Sequence, residues 1–89
     1  MPTVSFTPAL ARFVAAPSIA VEGETVASAL AAVFDRHPAL RGYVLDDQGA
    51  VRRHVAVFIN GRMLRDRAAL DERLNPADEV FVFQALSGG

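Results

Sequence analysis

What most limits the fold of this chain is a single amphipathic helix standing among alternating segments. In "GETVASALAAVFDRHP" the apolar residues Val26, Ala29, Leu30, Val33 and Phe34 fall at i, i+3, i+4, i+7 and i+8. That spacing is one apolar stripe on a helix of ~3.6 residues per turn. Thr25 stands at the N-cap position, where a hydroxyl satisfies a free backbone N–H. His37 falls in the last turn, where a cation suits the helix dipole, and Pro38 ends the pattern. The spacing predicts one helix of about 12 residues, whose stripe must be covered by strands.

The strands are legible as alternation. In "TVSFT" (3–7) Val4 and Phe6 share one face, and in "SIAVE" (18–22) Ile19 and Val21 do. With "ALARFVAAP" (9–17) as a loop after Pro8, the two segments predict a hairpin. "YVLD" (43–46) is expected as a short strand and "DDQGA" as a turn. "HVAVFIN" (54–60) places Val55, Val57 and Ile59 on one face, with Ala56 and Phe58 on the other. Asn60-Gly61 is a type I′ hairpin signal. "RDRAALDERL" is expected as a short helical turn with Leu70 and Leu74 inward, and "NPADE" as a turn. "VFVFQA" (80–85) carries branched or aromatic residues up to Phe83, which suits a central strand better than an edge. These elements predict an α+β fold: a mixed sheet of four or five strands packed on one main helix. Val4, Ile19, Val55, Val57, Val80 and Val82 then face the helix, and Phe58 and Phe81 face outward.

Eighty-nine residues make one domain. A 52% hydrophobic composition argues for a packed globule. Nine basic and ten acidic residues leave a net charge of -1, so charge makes no case for nucleic acid or an anionic membrane as partner. Every basic residue is Arg and none is Lys; genome base composition is the ordinary cause, but the chain then has no side-chain amine for a Schiff base or for modification. No Cys means no disulfide, thiolate metal site or Cys nucleophile. "MPTVSFTP" has neither the basic nor the apolar region of a signal peptide, and no apolar run approaches ~20 residues. A cytoplasmic protein is expected.

Candidate chemistry is sparse. His37 and His54 are the only histidines, without the spacing of a metal site. Asp46-Asp47, Asp71-Glu72 and Asp78-Glu79 stand in turn-like sequence and are expected as solvated turn and cap residues. There is no nucleophile elbow and no Gly-rich phosphate loop. No catalytic residue and no metal site is therefore expected, and the protein is not expected to be an enzyme. The outward Phe58 and Phe81, with Phe83 near the tail, form a candidate partner surface, to which Leu86 in the tail adds.

The tail "ALSGG" suggests another kind of chemistry. At ~7% glycine usage, two glycines together at the end arise by chance about once in two hundred chains. A terminal Gly-Gly carboxylate is slim and unbranched, fit to thread into a buried site. A carboxylate is a poor electrophile, so a partner enzyme must first make it an acyl-adenylate; a sulfur donor then displaces AMP and leaves a thiocarboxylate.

The sequence resembles the MoaD/ThiS family of ubiquitin-like sulfur carriers. The points of match are "VSFTPALARF", the "GETVASALAAVFDRHPAL" helix, "HVAVFINGR" before a hairpin turn and "LNPADEVFVFQALSGG". The resemblance implies a β-grasp fold over residues 1–89, with a flexible tail at about 86–89. It implies that Gly89 bears the sulfur and Gly88 is the slim residue before it. It also implies an E1-like adenylating partner that uses ATP, no cofactor bound by the carrier itself, and a sulfur-acceptor synthase. "RGYVLDDQGAVRRHVAVFING" is similar to the longer members, including those that feed cysteine biosynthesis. The destination of the sulfur stays open among molybdopterin, thiamine thiazole, cysteine and a thiolated tRNA base. Two rival expectations are a protein modifier conjugated through Gly89 and an interaction domain whose tail is never activated.

Overall fold

The computed structural model describes residues 1–7 and 18–84. The expected loop 9–17, Pro8 as strand terminator, and Ala85, Leu86, Gly88 and Gly89 lie outside the described residues. Strand β1 runs Thr3–Phe6 and β2 Ser18–Ala20. Helix α1 runs Val26–Arg36 and α2 Pro38–Val44. Strands β3 (Val55–Ile59), β4 (Arg62–Met63) and β5 (Glu79–Gln84) follow. The five strands form one mixed sheet in the order β2-β1-β5-β3-β4. β5 lies in the middle, parallel to β1 (Val4↔Val80) and antiparallel to β3 (Val57↔Val82). Its ladder is paired on both sides, as the run of branched and aromatic residues predicts.

One face of the sheet packs on α1. Val4, Val55, Val57, Ile59, Val80 and Val82 are buried, together with Val26, Ala29, Leu30, Val33 and Phe34 of the predicted stripe. Ile19 is partly buried against this core. Fully burying a side chain such as Leu30 contributes about 1.5–3 kcal/mol, and the alternation of each strand commits every second residue to it.

The N-terminus of α1 shows how the rest of the chain completes the helix. A helix leaves its first four N–H groups without intrahelical partners, and here each has one. Thr25 N donates to Ser28 Oγ at 3.0 Å, and Ser28 N to Thr25 Oγ1 at 3.1 Å, a reciprocal capping box. Val26 N donates to the Glu72 carbonyl at 3.0 Å and Ala27 N to the Leu70 carbonyl at 2.8 Å. Buried Leu70 adopts a left-handed φ of 54°, which costs an L residue about 1–2 kcal/mol. That conformation accompanies a carbonyl that meets the helix and a side chain that enters the core.

One expectation is corrected. Residues 43–46 are not a strand: α2 extends through Val44, and only Leu45 keeps an isolated antiparallel bridge, to Val51. Pro38 ends α1 but also opens α2 at its first turn, where its fixed φ suits the helix and its missing N–H is not needed. Leu40 and Val44, four residues apart, are then both buried. Around 65–74 the expected short helical turn forms as a single turn at 67–69. Leu70 N donates to the Asp66 carbonyl at 3.3 Å, and the left-handed Leu70 stops propagation. Leu70 and Leu74 are inward as expected. Asn60 and Gly61, at φ 51° and 84°, turn β3 into β4 with the two left-handed residues a type I′ hairpin requires.

Candidate partner face and tail root

The sheet face turned away from α1 carries the outward aromatics. Phe81 and Phe83 alternate with buried Val80 and Val82 and stay 40% and 42% exposed. Their rings meet edge to face, 6.2 Å between centroids at 81°, a favoured aromatic geometry. Strand register brings the other apolar residues alongside. Phe58 pairs with Phe81 across β3 and β5, and Met63 of β4 pairs with Phe58. The result is an apolar row Met63–Phe58–Phe81 with Phe83 beside it. Met63, 56% exposed, is the member that sequence reading missed. Its signal was present: in a two-residue hairpin about Asn60-Gly61 it falls opposite Phe58. Across β1 the row turns polar. Ser5 lies level with Phe81, and its hydroxyl is 2.9 Å from that of Ser18.

The tail leaves from the end of β5, beside the turn that precedes β3. Gln84 pairs with Val55, and its N–H donates to Thr7 Oγ1 at 3.3 Å. The turn itself is pinned. Val55 N donates to the Arg52 carbonyl at 3.0 Å, and Val51 N to the Arg67 carbonyl at 2.8 Å. The Arg67 guanidinium donates to the carbonyls of Val51, Arg52 and Val55. Arg52 Nε donates to the Gly42 carbonyl at 2.7 Å. Arg53 and His54 are exposed on this fixed turn. Phe58, Phe81 and Phe83 thus share one face, and β5 carries the last of them to the root of the tail.

The carboxylates act as turn clamps. Asp78 accepts from Asn75 N at 2.8 Å and from Asn60 Nδ2 at 2.9 Å, and these bonds, the backbone one foremost, hold its carboxyl below the usual range. The backbone N–H groups of Ala50 and Gln48 do the same for Asp46. Glu72 accepts from Arg65 N at 2.7 Å and pairs with Arg62 at 2.8 Å, and its carboxyl is also held low, chiefly by the Arg65 N–H. His37 is the C-cap of α1 and His54 sits in the turn before β3. Among the described residues, no three His, Asp or Glu side chains come together to hold a metal ion, and no helix is long and apolar enough to cross a membrane.

Comparison with known proteins gives this geometry its family. The ThiS family model matches residues 11–89. Small archaeal modifier protein 1 of Haloferax volcanii is 40% identical over 70 residues, 78% of this chain and 76% of that protein. A crystal structure of small archaeal modifier protein 1 from the same organism superimposes with a TM-score of 0.80 at 32% identity, covering 99% of this chain and 98% of that one. The Amycolatopsis orientalis BexX/CysO complex contains a chain that superimposes at 0.87 over 100% of both chains. At 22% identity that likeness is one of fold alone. The chain belongs to the ThiS family of ubiquitin-like sulfur carriers and modifiers, built on the β-grasp fold.

Proposed function

We propose that this protein is a sulfur carrier whose reactive group is the Gly89 carboxyl. An E1-like enzyme adenylates it: a carboxylate oxygen bonds the α-phosphorus of ATP and pyrophosphate leaves. A sulfur nucleophile then attacks the acyl carbon, AMP leaves, and a thiocarboxylate remains to donate sulfur to an acceptor synthase. The ATP belongs to the activating partner, and the carrier contributes no catalytic side chain. The observation that supports this reading is the placement of Phe81 and Phe83 on β5, which ends at Gln84, four residues before Gly88 in the sequence. A partner gripping Phe58, Phe81, Phe83 and Leu86 would aim Gly88 and Gly89 at its own active site.

The test is intact mass after incubation with the activating enzyme, ATP and a sulfur source. The expected product replaces one oxygen by sulfur. Phe81→Thr and Phe83→Thr, which keep strand propensity, are expected to slow its formation tenfold or more, the scale of a lost interface anchor of about 1.4 kcal/mol or above. Unchanged mass in the wild type would refute the carrier reading. A second reading is favoured by the 40% identity to a protein named a modifier: transfer of Gly89 to amines of other proteins, visible as a ladder of larger adducts.

A further inference from the structure

An asparagine that precedes glycine can react with its own backbone. The glycine nitrogen attacks the side-chain carboxamide carbon and closes a five-membered ring, and glycine has no side chain to stand in the way. Asn60-Gly61 is such a pair. Both residues are exposed to water, and the turn needs them there for their left-handed φ. The other asparagine, Asn75, precedes Pro76, whose nitrogen has no proton to give up. We propose that Asn60 is a spontaneous deamidation site, that its hydrogen bonds to Asp78 and Glu79 hold the reaction back in the folded protein, and that the completed reaction releases the β3–β4 hairpin from the turn before β5.

The restraint is visible in the contacts. Asn60 N donates to the Glu79 carbonyl at 2.9 Å. Its carboxamide oxygen accepts from Glu79 N at 2.9 Å, and its Nδ2 donates to Asp78 Oδ1 at 2.9 Å. Asp78 is itself fixed, its other carboxylate oxygen accepting from Asn75 N at 2.8 Å. The carboxamide carbon of Asn60 lies between two atoms that are each tied to residues 78–79. It can approach Gly61 N only after both bonds open. The Nδ2 bond has a carboxylate as acceptor, and such bonds are about twice as strong as neutral ones. Its partners stand 18 and 19 positions away in sequence, so a short peptide with the same turn lacks the restraint.

The step balances without an oxidant or reductant. The Gly61 nitrogen bonds Asn60 Cγ and loses its proton, the Cγ–Nδ2 bond breaks, and ammonia leaves. Water then opens the imide. Opening at Cγ gives an aspartate; opening at the backbone carbonyl gives an isoaspartate, whose main chain is one carbon longer. Either product carries a carboxylate where the amide donor stood, close to the Asp78 carboxylate. A hydrogen bond becomes a like-charge contact, and the clamp does not re-form. The strand it frees is β4, whose Met63 lies opposite Phe58.

The test follows charge and mass at mildly alkaline pH. Deamidation exchanges NH for O and adds a negative charge, so ion exchange and intact mass count it, and peptide mapping places it at residue 60. The folded wild type is expected to react about tenfold or more slower than a synthetic peptide of residues 57–63, and Asp78→Ala about tenfold faster than the wild type, the scale of a lost charge-assisted bond. Asp78→Asn keeps the shape and a neutral acceptor; it is expected to fall between the two and serves if Asp78→Ala does not fold. Gly23→Ala strains the packing on α1 and leaves the clamp intact, so it is expected to keep the wild-type rate, which separates clamp opening from global unfolding. Asn60→Asp is expected to speed exchange of the Leu64 N–H, which donates to the Val57 carbonyl across the hairpin. A wild type as fast as the peptide, Asp78 variants as slow as the wild type, an equal acceleration by Gly23→Ala, or unchanged Leu64 exchange in Asn60→Asp would overturn the inference.

Discussion

Gly23 offers a prediction whose sign separates two opposing effects. Its φ is not left-handed, so alanine is acceptable to the backbone there. Replacing glycine at such a site ordinarily stabilises a protein by about 0.4–1 kcal/mol, because the unfolded chain loses freedom. Here, however, a Cβ would stand 2.7 Å from Ala29 N and 2.8 Å from Ala29 Cα. Both are backbone atoms of α1, whose first turn is held by the Glu72 and Leu70 carbonyls and cannot recede. Forcing an extra carbon into such packing costs about 1–3 kcal/mol. The clash should win, leaving Gly23→Ala less stable by roughly 0.5–2 kcal/mol. At ~4–8 °C per kcal/mol for a domain of this size, the fall in Tm is several degrees or more. Gly42 is the control: it lies within α2, and a Cβ added to it would meet nothing within 4 Å. Gly42→Ala should therefore gain about 0.5–1 kcal/mol from helix propensity alone. Urea unfolding of both variants, with Tm as a check, decides the matter. A Gly23→Ala protein as stable as the wild type would refute the close approach of residue 23 to the helix.

Acid should unfold the protein through its turn clamps. Asp46, Asp66, Glu72 and Asp78 are all held below the ordinary carboxylate range, chiefly by backbone N–H donors. Lowered folded values mean that their contribution is complete above the ordinary carboxylate pKa of about 4 and is lost as pH falls through the folded values. The urea midpoint should hold between about pH 7 and 5 and drop below about 4; a midpoint unchanged down to about pH 3 would contradict the clamps. Arg67→Met keeps the aliphatic stem but leaves the carbonyls of Val51, Arg52 and Val55 without their guanidinium donor. It should cost about 1–3 kcal/mol and speed amide exchange at Val51 and Val55, and equal exchange rates in the two proteins would show that Arg67 does not hold the turn.

The sequence by itself determined whatever depends on neighbours along the chain. Period and capping are properties of a few consecutive residues, so the stripe from Val26 to Phe34, the Thr25 cap, the Asn60-Gly61 turn and the inward valines of β3 and β5 were all legible. The strand expected at 43–46 failed for the same local reason. Four residues with two apolar members suit a strand or a helix end equally, and the choice fell to Pro38, which starts a helix that buries Leu40 and Val44. Tertiary structure decided what depends on partners distant in the chain. It set β1 parallel to β5, aligned Met63 with Phe58 and Phe81, and turned Leu70 left-handed so that its carbonyl meets the helix. Those outcomes follow from hydrogen-bond registers between remote segments, which side-chain periodicity does not encode; they gather the aromatic row on one face of the sheet, on the strand that leads towards the Gly-Gly pair.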